Sequence, residues 1–152
     1  MRNLMTQCCE VERTIAKIYR LLATMEGLPP EIRGVFGELA LDEEDHAVQI
    51  ECALEIPDDR FSPCVEIPEA NNLALDLLQR AKAILADVRE HPKSQADAVG
   101  VAMDLEQDFR RMHLFAVAHF PEERLKTMFS RFARYEEAHL RLLEPFLADG
   151  PQ

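Results

Sequence analysis

Residues 36–50 read FGELALDEEDHAVQI. Taken three and four places apart, and with Ile32 before them, Phe36, Leu39, Glu43, His46 and Ile50 trace one stripe along a helix. The apolar members mark it as core-facing, yet a glutamate and a histidine occupy two of its positions. Each residue advances a helix by about 100°, so a Glu and a His three apart share a face and can grip one ion. The same arrangement returns in a second stripe, Leu125, Phe129, Phe132, Glu136, His139, Leu143 and Phe146. With 18 glutamates and five histidines in 152 residues, two Glu-x-x-His pairs arise by accident too easily to decide anything alone. Their position on apolar stripes carries the case.

Two further stripes hold a lone acid: Cys8, Glu12, Ile15, Tyr19, Leu22, and Ala102, Glu106, Phe109, His113, Ala116. An ionised carboxylate in an apolar interior is costly unless it is paired, hydrogen-bonded or bound to a metal. Four core glutamates therefore need a common counter-charge. Basic side chains do not provide it. Arg13, Lys17 and Arg20 fall on the outer face of the first helix, Arg110 and Arg111 flank the third stripe, and Arg134 and Arg141 flank the fourth. Two divalent cations would: their charge matches four carboxylates, two neutral imidazoles complete the set, and mixed oxygen and nitrogen donors suit iron or manganese. One Glu from each of two helices and Glu-x-x-His from each of two others is the donor set of di-iron carboxylate bundles.

Chain punctuation predicts all-α architecture. Helices are expected over about 4–26, 30–54, 70–90, 94–119 and 121–148, with Gly27, Pro29, Pro30, Pro92 and Pro121 at the breaks. Glu12 to Glu43 is 31 residues and Glu106 to Glu136 is 30, so the chain reads as two similar hairpins, with Gly27–Pro30 and Pro121 roughly midway. Each hairpin would supply half a site. Between them, IPDDRFSPCVEIP (56–68) reads as a linker, and the helix at 70–90, apolar through Leu73, Leu77, Ala81, Ile84 and Val88, as part of a long crossover. The whole is expected to be one domain, 1–152.

Seventeen basic against 28 acidic residues give a formal charge of −11, which disfavours nucleic acid and anionic membrane surfaces as partners. No stretch is apolar for the length of a membrane span and the N-terminus lacks an apolar signal core, so a cytoplasmic location is expected. The cysteines show no zinc or redox spacing. Cys8, Cys9, Cys52 and Cys64 read as reduced thiols, with Cys8, one turn before Glu12, a candidate redox neighbour of the metals.

The segments CEVERTIAKIY (9–19), FGELALDEEDHA (36–47), AMDLEQDFRRMH (102–113) and FARYEEAHLRLLE (132–144) together resemble the ferritin-like superfamily, nearest to the erythrin domain of the rubrerythrins. That resemblance implies a ferritin-like antiparallel four-helix bundle and a pair of irons, with manganese or zinc as substitutes. Carried over by position, Glu12, Glu43, His46, Glu106, Glu136 and His139 would be the ligands, with Glu43 and Glu136 bridging. Tyr19 matches a tyrosine that family members place beside the metals. The chain departs from the pattern in three ways. It has no rubredoxin domain with paired Cys-x-x-Cys, so electrons would come from a separate, rubredoxin-like donor. Phe109 stands where rubrerythrins tend to carry an extra glutamate. His113 replaces the tyrosine expected two turns after Glu106, and either hydrogen-bonds a ligand carboxylate or donates a nitrogen to one metal.

The implied activity is reduction of hydrogen peroxide or oxygen, with Tyr19 and His113 as candidate proton sources, in what relatives suggest is a homodimer. Two alternatives stay open: iron oxidation and storage of the ferritin kind, and a non-redox, metal-stabilised helical module for interactions.

Overall fold

The computed structural model describes residues 2–57 and 68–147. Most of the 56–68 linker, with Cys64, lies outside the described residues, as does position 148 at the expected end of the last helix. The described residues form five α-helices and no strand: α1 Arg2–Ala23, α2 Pro30–Leu54, α3 Pro68–Glu90, α4 Gln95–His119 and α5 Glu123–Leu143. None is long and apolar enough to cross a membrane.

The helix ends differ from expectation for local reasons. α1 stops at Ala23 rather than near 26 because its last turn tightens: the Thr24 and Met25 amides bond three residues back, to Leu21 and Leu22 carbonyls, and the Thr24 hydroxyl bonds the Arg20 and Leu21 carbonyls. Gly27 has no positive φ, so no left-handed cap is involved. α2 opens at Pro30, where a missing N–H costs nothing. Ser94 caps α4, its hydroxyl oxygen accepting from the Asp97 amide at 3.2 Å. α5 begins at Glu123, leaving Pro121 in the turn before it, and ends at Leu143; Pro145 then sits in a 3₁₀ turn, Glu144–Phe146.

α1 pairs with α2, and α4 with α5. Both hairpins run antiparallel: Arg2 bonds the Leu54 and Ile56 carbonyls at the far end of α2, and Gln95 bonds the Phe146 carbonyl just past α5. The hairpins meet through α1 against α4 (Cys8–Met112, Glu12–His113, Tyr19–Glu106) and α2 against α5 (Asp42–His139, Gln49–Arg131). α3 lies along α1 and touches α4. Its buried face is rich in alanine, Ala70, Ala74 and Ala81 beside Leu77, Leu78 and Val88, which permits close approach. α1 accordingly buries a second stripe, Leu4, Val11 and Ile18, besides its acid-bearing one. Hydrophobic burial at roughly 25 cal/mol per Å² is the force that assembles these faces.

Candidate metal centre

All four stripe acids, Glu12, Glu43, Glu106 and Glu136, are 0% exposed, as is His113, while His46 and His139 are 1% exposed. Each is buried because it occupies a core position of a helix otherwise apolar on that face, and the helices can pack only by taking it inside. Two groups of donors form. Glu12, Glu43 and His46 converge within 4.8 Å, as do Glu43, Glu106 and His139. Glu43 belongs to both, and each group could hold a metal ion. Glu136 completes neither group, yet its Oε1 lies 3.8 Å from His46 Nδ1 and 3.2 Å from His113 Nδ1.

Every imidazole in the cluster turns Nδ1 toward the acids. His46 Nδ1 lies 3.2 Å from Glu43 Oε2 and 3.8 Å from Glu12 Oε2. His139 Nδ1 lies 3.1 Å from Glu106 Oε2 and 3.3 Å from Glu43 Oε1. The far nitrogen of His139, Nε2, is 3.0 Å from Oδ2 of half-exposed Asp42, a carboxylate–histidine pair of the kind that fixes the ring of a metal ligand. Phe132 and Tyr135 flank the His46 ring, at centroid distances of 4.2 and 5.2 Å.

Two bonds cross between the hairpins in mirrored fashion. The Tyr19 hydroxyl, seven residues beyond Glu12 on α1, donates to Glu106 Oε1 at 2.6 Å. His113, seven beyond Glu106 on α4, places Nε2 at 2.8 Å from Glu12 Oε1. Both residues singled out from the sequence thus touch the acids of the opposite hairpin. Phe109 is fully buried and stacks on His113 at 5.7 Å, adding a wall and no ligand.

Burial drives the Glu12 and Tyr19 ionisations upward, and burial with repulsion from Glu43 pushes Glu106 up to about 8. Burial would raise Glu43 too, but the neighbouring His139 and His46 imidazoles outweigh it and hold this carboxyl below its ordinary value. The imidazoles face the opposite balance: burial disfavours their charge, but neighbouring carboxylates raise His46 to about 11, His113 to about 10 and His139 to about 12. Protons therefore stand where cations would. Even so, Glu12 Oε2, Glu43 Oε1, both oxygens of Glu136 and His113 Nδ1 are buried without any hydrogen-bond partner. Native interiors satisfy almost all such atoms. Four of these five atoms are carboxylate oxygens, whose charge and chemistry fit a divalent cation.

Cys8 is fully buried, its Sγ 3.9 Å from Met112 Sδ, and burial together with the Glu12 charge pushes its thiol up. It belongs to neither donor group and packs as an apolar residue. Asp42 is the site residue that sequence reasoning missed. Its only signal was its place immediately before Glu43, on a position that reads as solvated. In comparisons with protein-family models, with curated proteins and with solved structures, the chain matches none.

Proposed function

We propose that this chain is a ferritin-like, di-iron oxidoreductase of the erythrin kind, reducing hydrogen peroxide or oxygen with electrons from a separate rubredoxin-like donor. The observation that carries the reading is the pair of buried donor groups joined through Glu43. A shared carboxylate would hold two ions side by side, where each could supply one of the two electrons that a small oxidant takes up.

When bound, the iron pair supplies the electrons; the chain's own residues prepare the place. Glu43 spans the two positions, with Glu12 and His46 on one side and Glu106 and His139 on the other. Tyr19 holds Glu106 by one oxygen, so that the other faces His139. Asp42 accepts a hydrogen bond from Nε2–H of His139 and so orients the ring with Nδ1 facing inward. Phe109, Phe129 and Phe132, all fully buried, exclude water and sharpen every electrostatic interaction inside. Asp42, half-exposed, is where the hydrogen bonds of the site reach solvent.

The test is anaerobic loading with ferrous iron, then exposure to peroxide or air. Binding of two irons per chain, rapid peroxide loss and re-reduction by a rubredoxin-type protein are the expected results. Uptake far beyond two irons per chain would replace this reading with iron storage, and an inert loaded protein would refute it.

A further inference from the structure

His113 offers the cluster something that a tyrosine in its place could not. The mirrored residue, Tyr19, has one polar atom, and its bond to Glu106 uses it. An imidazole has two. His113 Nε2 is engaged with Glu12 Oε1 at 2.8 Å, which in a neutral ring leaves Nδ1 as a bare electron pair. That atom is buried without a hydrogen-bond partner. It lies 3.2 Å from Glu136 Oε1, itself without one, in a geometry misaligned for a hydrogen bond. With the ring neutral, two electron-pair donors so placed repel unless a proton or a metal ion lies between them.

His46 and His139 meet the carboxylates in the same way, through Nδ1 and at comparable separations. His46 Nδ1 and His113 Nδ1 also approach the same oxygen, Glu136 Oε1, at 3.8 and 3.2 Å. From this convergence we infer that His113 is a seventh metal-binding residue, its Nδ1 joining His46, Glu12, Glu43 and Glu136 around the first ion. The inference rests on the proposed metal centre and sharpens it. One ion gains two imidazole nitrogens while the other, at Glu43, Glu106 and His139, has one, so the two positions are chemically unequal. The more nitrogen-rich position favours ions that prefer imidazole over those content with carboxylates alone.

The test uses the full chain with cobalt(II) as the probe. Proton NMR of the cobalt-loaded protein reports each ligated imidazole as one strongly shifted, exchangeable ring N–H signal. Three are expected, against two from H113Q, whose amide keeps a donor for Glu12 but has no ring nitrogen. His91 pairs with Asp87 on the surface and His119 with the Phe115 carbonyl, so neither adds to the count. Two signals in the unaltered, fully loaded protein would overturn the inference while leaving the metal centre standing. Absence of both shifted signals and bound cobalt would overturn the proposed function, and this inference with it. Should H113Q fail to fold, ¹⁵N-histidine labelling of the unaltered chain counts the same rings without a variant.

Discussion

Replacing Glu106 by glutamine should stabilise the metal-free protein and weaken the metal-loaded one. Glu106 is fully buried, and its carboxyl ordinarily titrates at 4.5 but is pushed up to about 8 by burial and by repulsion from Glu43. The unfolded chain releases this proton above 4.5, while the folded protein keeps it until about 8. Between those values the native state binds the extra proton, so stability falls as pH rises. At pH 7 the gap spans about 2.5 pH units at about 1.4 kcal/mol each, a cost of about 3 kcal/mol. Glutamine has no proton to lose and still accepts from Tyr19 through its amide oxygen. Metal-free E106Q is therefore expected to melt about 6–12 °C above the parent at pH 7 and alongside it at pH 4.5. Saturating metal should reverse the order at pH 7, because binding stabilises by mass action and E106Q has lost a donor of the Glu43–Glu106–His139 group. Circular-dichroism melts with chelator, then with manganese, read both effects. A metal-free variant that melts at or below the parent at pH 7 would refute the electrostatic reasoning.

Four further substitutions probe the cluster. E43Q removes the residue common to both groups and should abolish binding of both ions, whereas E12Q should lose one; elemental analysis after anaerobic loading counts them, and two ions retained by E43Q would exclude a shared role. Y19F leaves Glu106 Oε1 without its 2.6 Å donor and should cost about 1–3 kcal/mol in urea unfolding of the metal-loaded protein, an unchanged midpoint being the contrary result. D42A removes the acceptor that fixes His139 and should weaken metal binding about 10–100-fold in competition with a chromogenic chelator, while barely moving metal-free stability because Asp42 is half-exposed.

The acid-bearing stripes were legible because a period of 3.6 residues leaves no room for accident when Glu12, Glu43, Glu106 and Glu136 all interrupt apolar runs. Burial of all four, with His46, His113 and His139, follows from that one pattern. The all-helical architecture was legible for the same reason. What depends on how the hairpins are rotated against each other was not. Asp42 reads as a surface acid, and only the approach of α5 to α2 brings His139 to it. The Leu4, Val11, Ile18 stripe has the seven-residue spacing of a buried face, but nothing local says that α3 lies against it. Glu43 and Glu136 occupy equivalent places in their hairpins, yet only Glu43 enters both donor groups, an asymmetry set by tertiary geometry. Helix ends shifted where backbone hydrogen bonding, rather than a glycine or proline, closed the last turn, as at Thr24.

The mirrored bonds bear on why the fold tolerates so hostile an interior. In each hairpin the first helix carries an acid and, seven residues on, a group able to donate to an acid: Glu12 with Tyr19, Glu106 with His113. Neither hairpin satisfies its own pair. Tyr19 serves Glu106 and His113 serves Glu12, so each acid gains a donor from the other hairpin on docking, which Glu106 adds to its contact with His139 in its own hairpin. A lone hairpin would expose these groups to water at little cost, and the penalty for burying them arises only on docking, when hydrogen bonds or ions can offset it. Cross-bonding thus selects the docked arrangement over others that bury the same apolar area, because misregister by one turn would strand a buried carboxylate at a cost of several kcal/mol. The same logic makes the docked state sensitive to cations. The crossing bonds supply one donor each to Glu12 and Glu106, while both oxygens of Glu136 lack a hydrogen-bond partner, so positive charge beside Glu136 adds to the affinity of the hairpins.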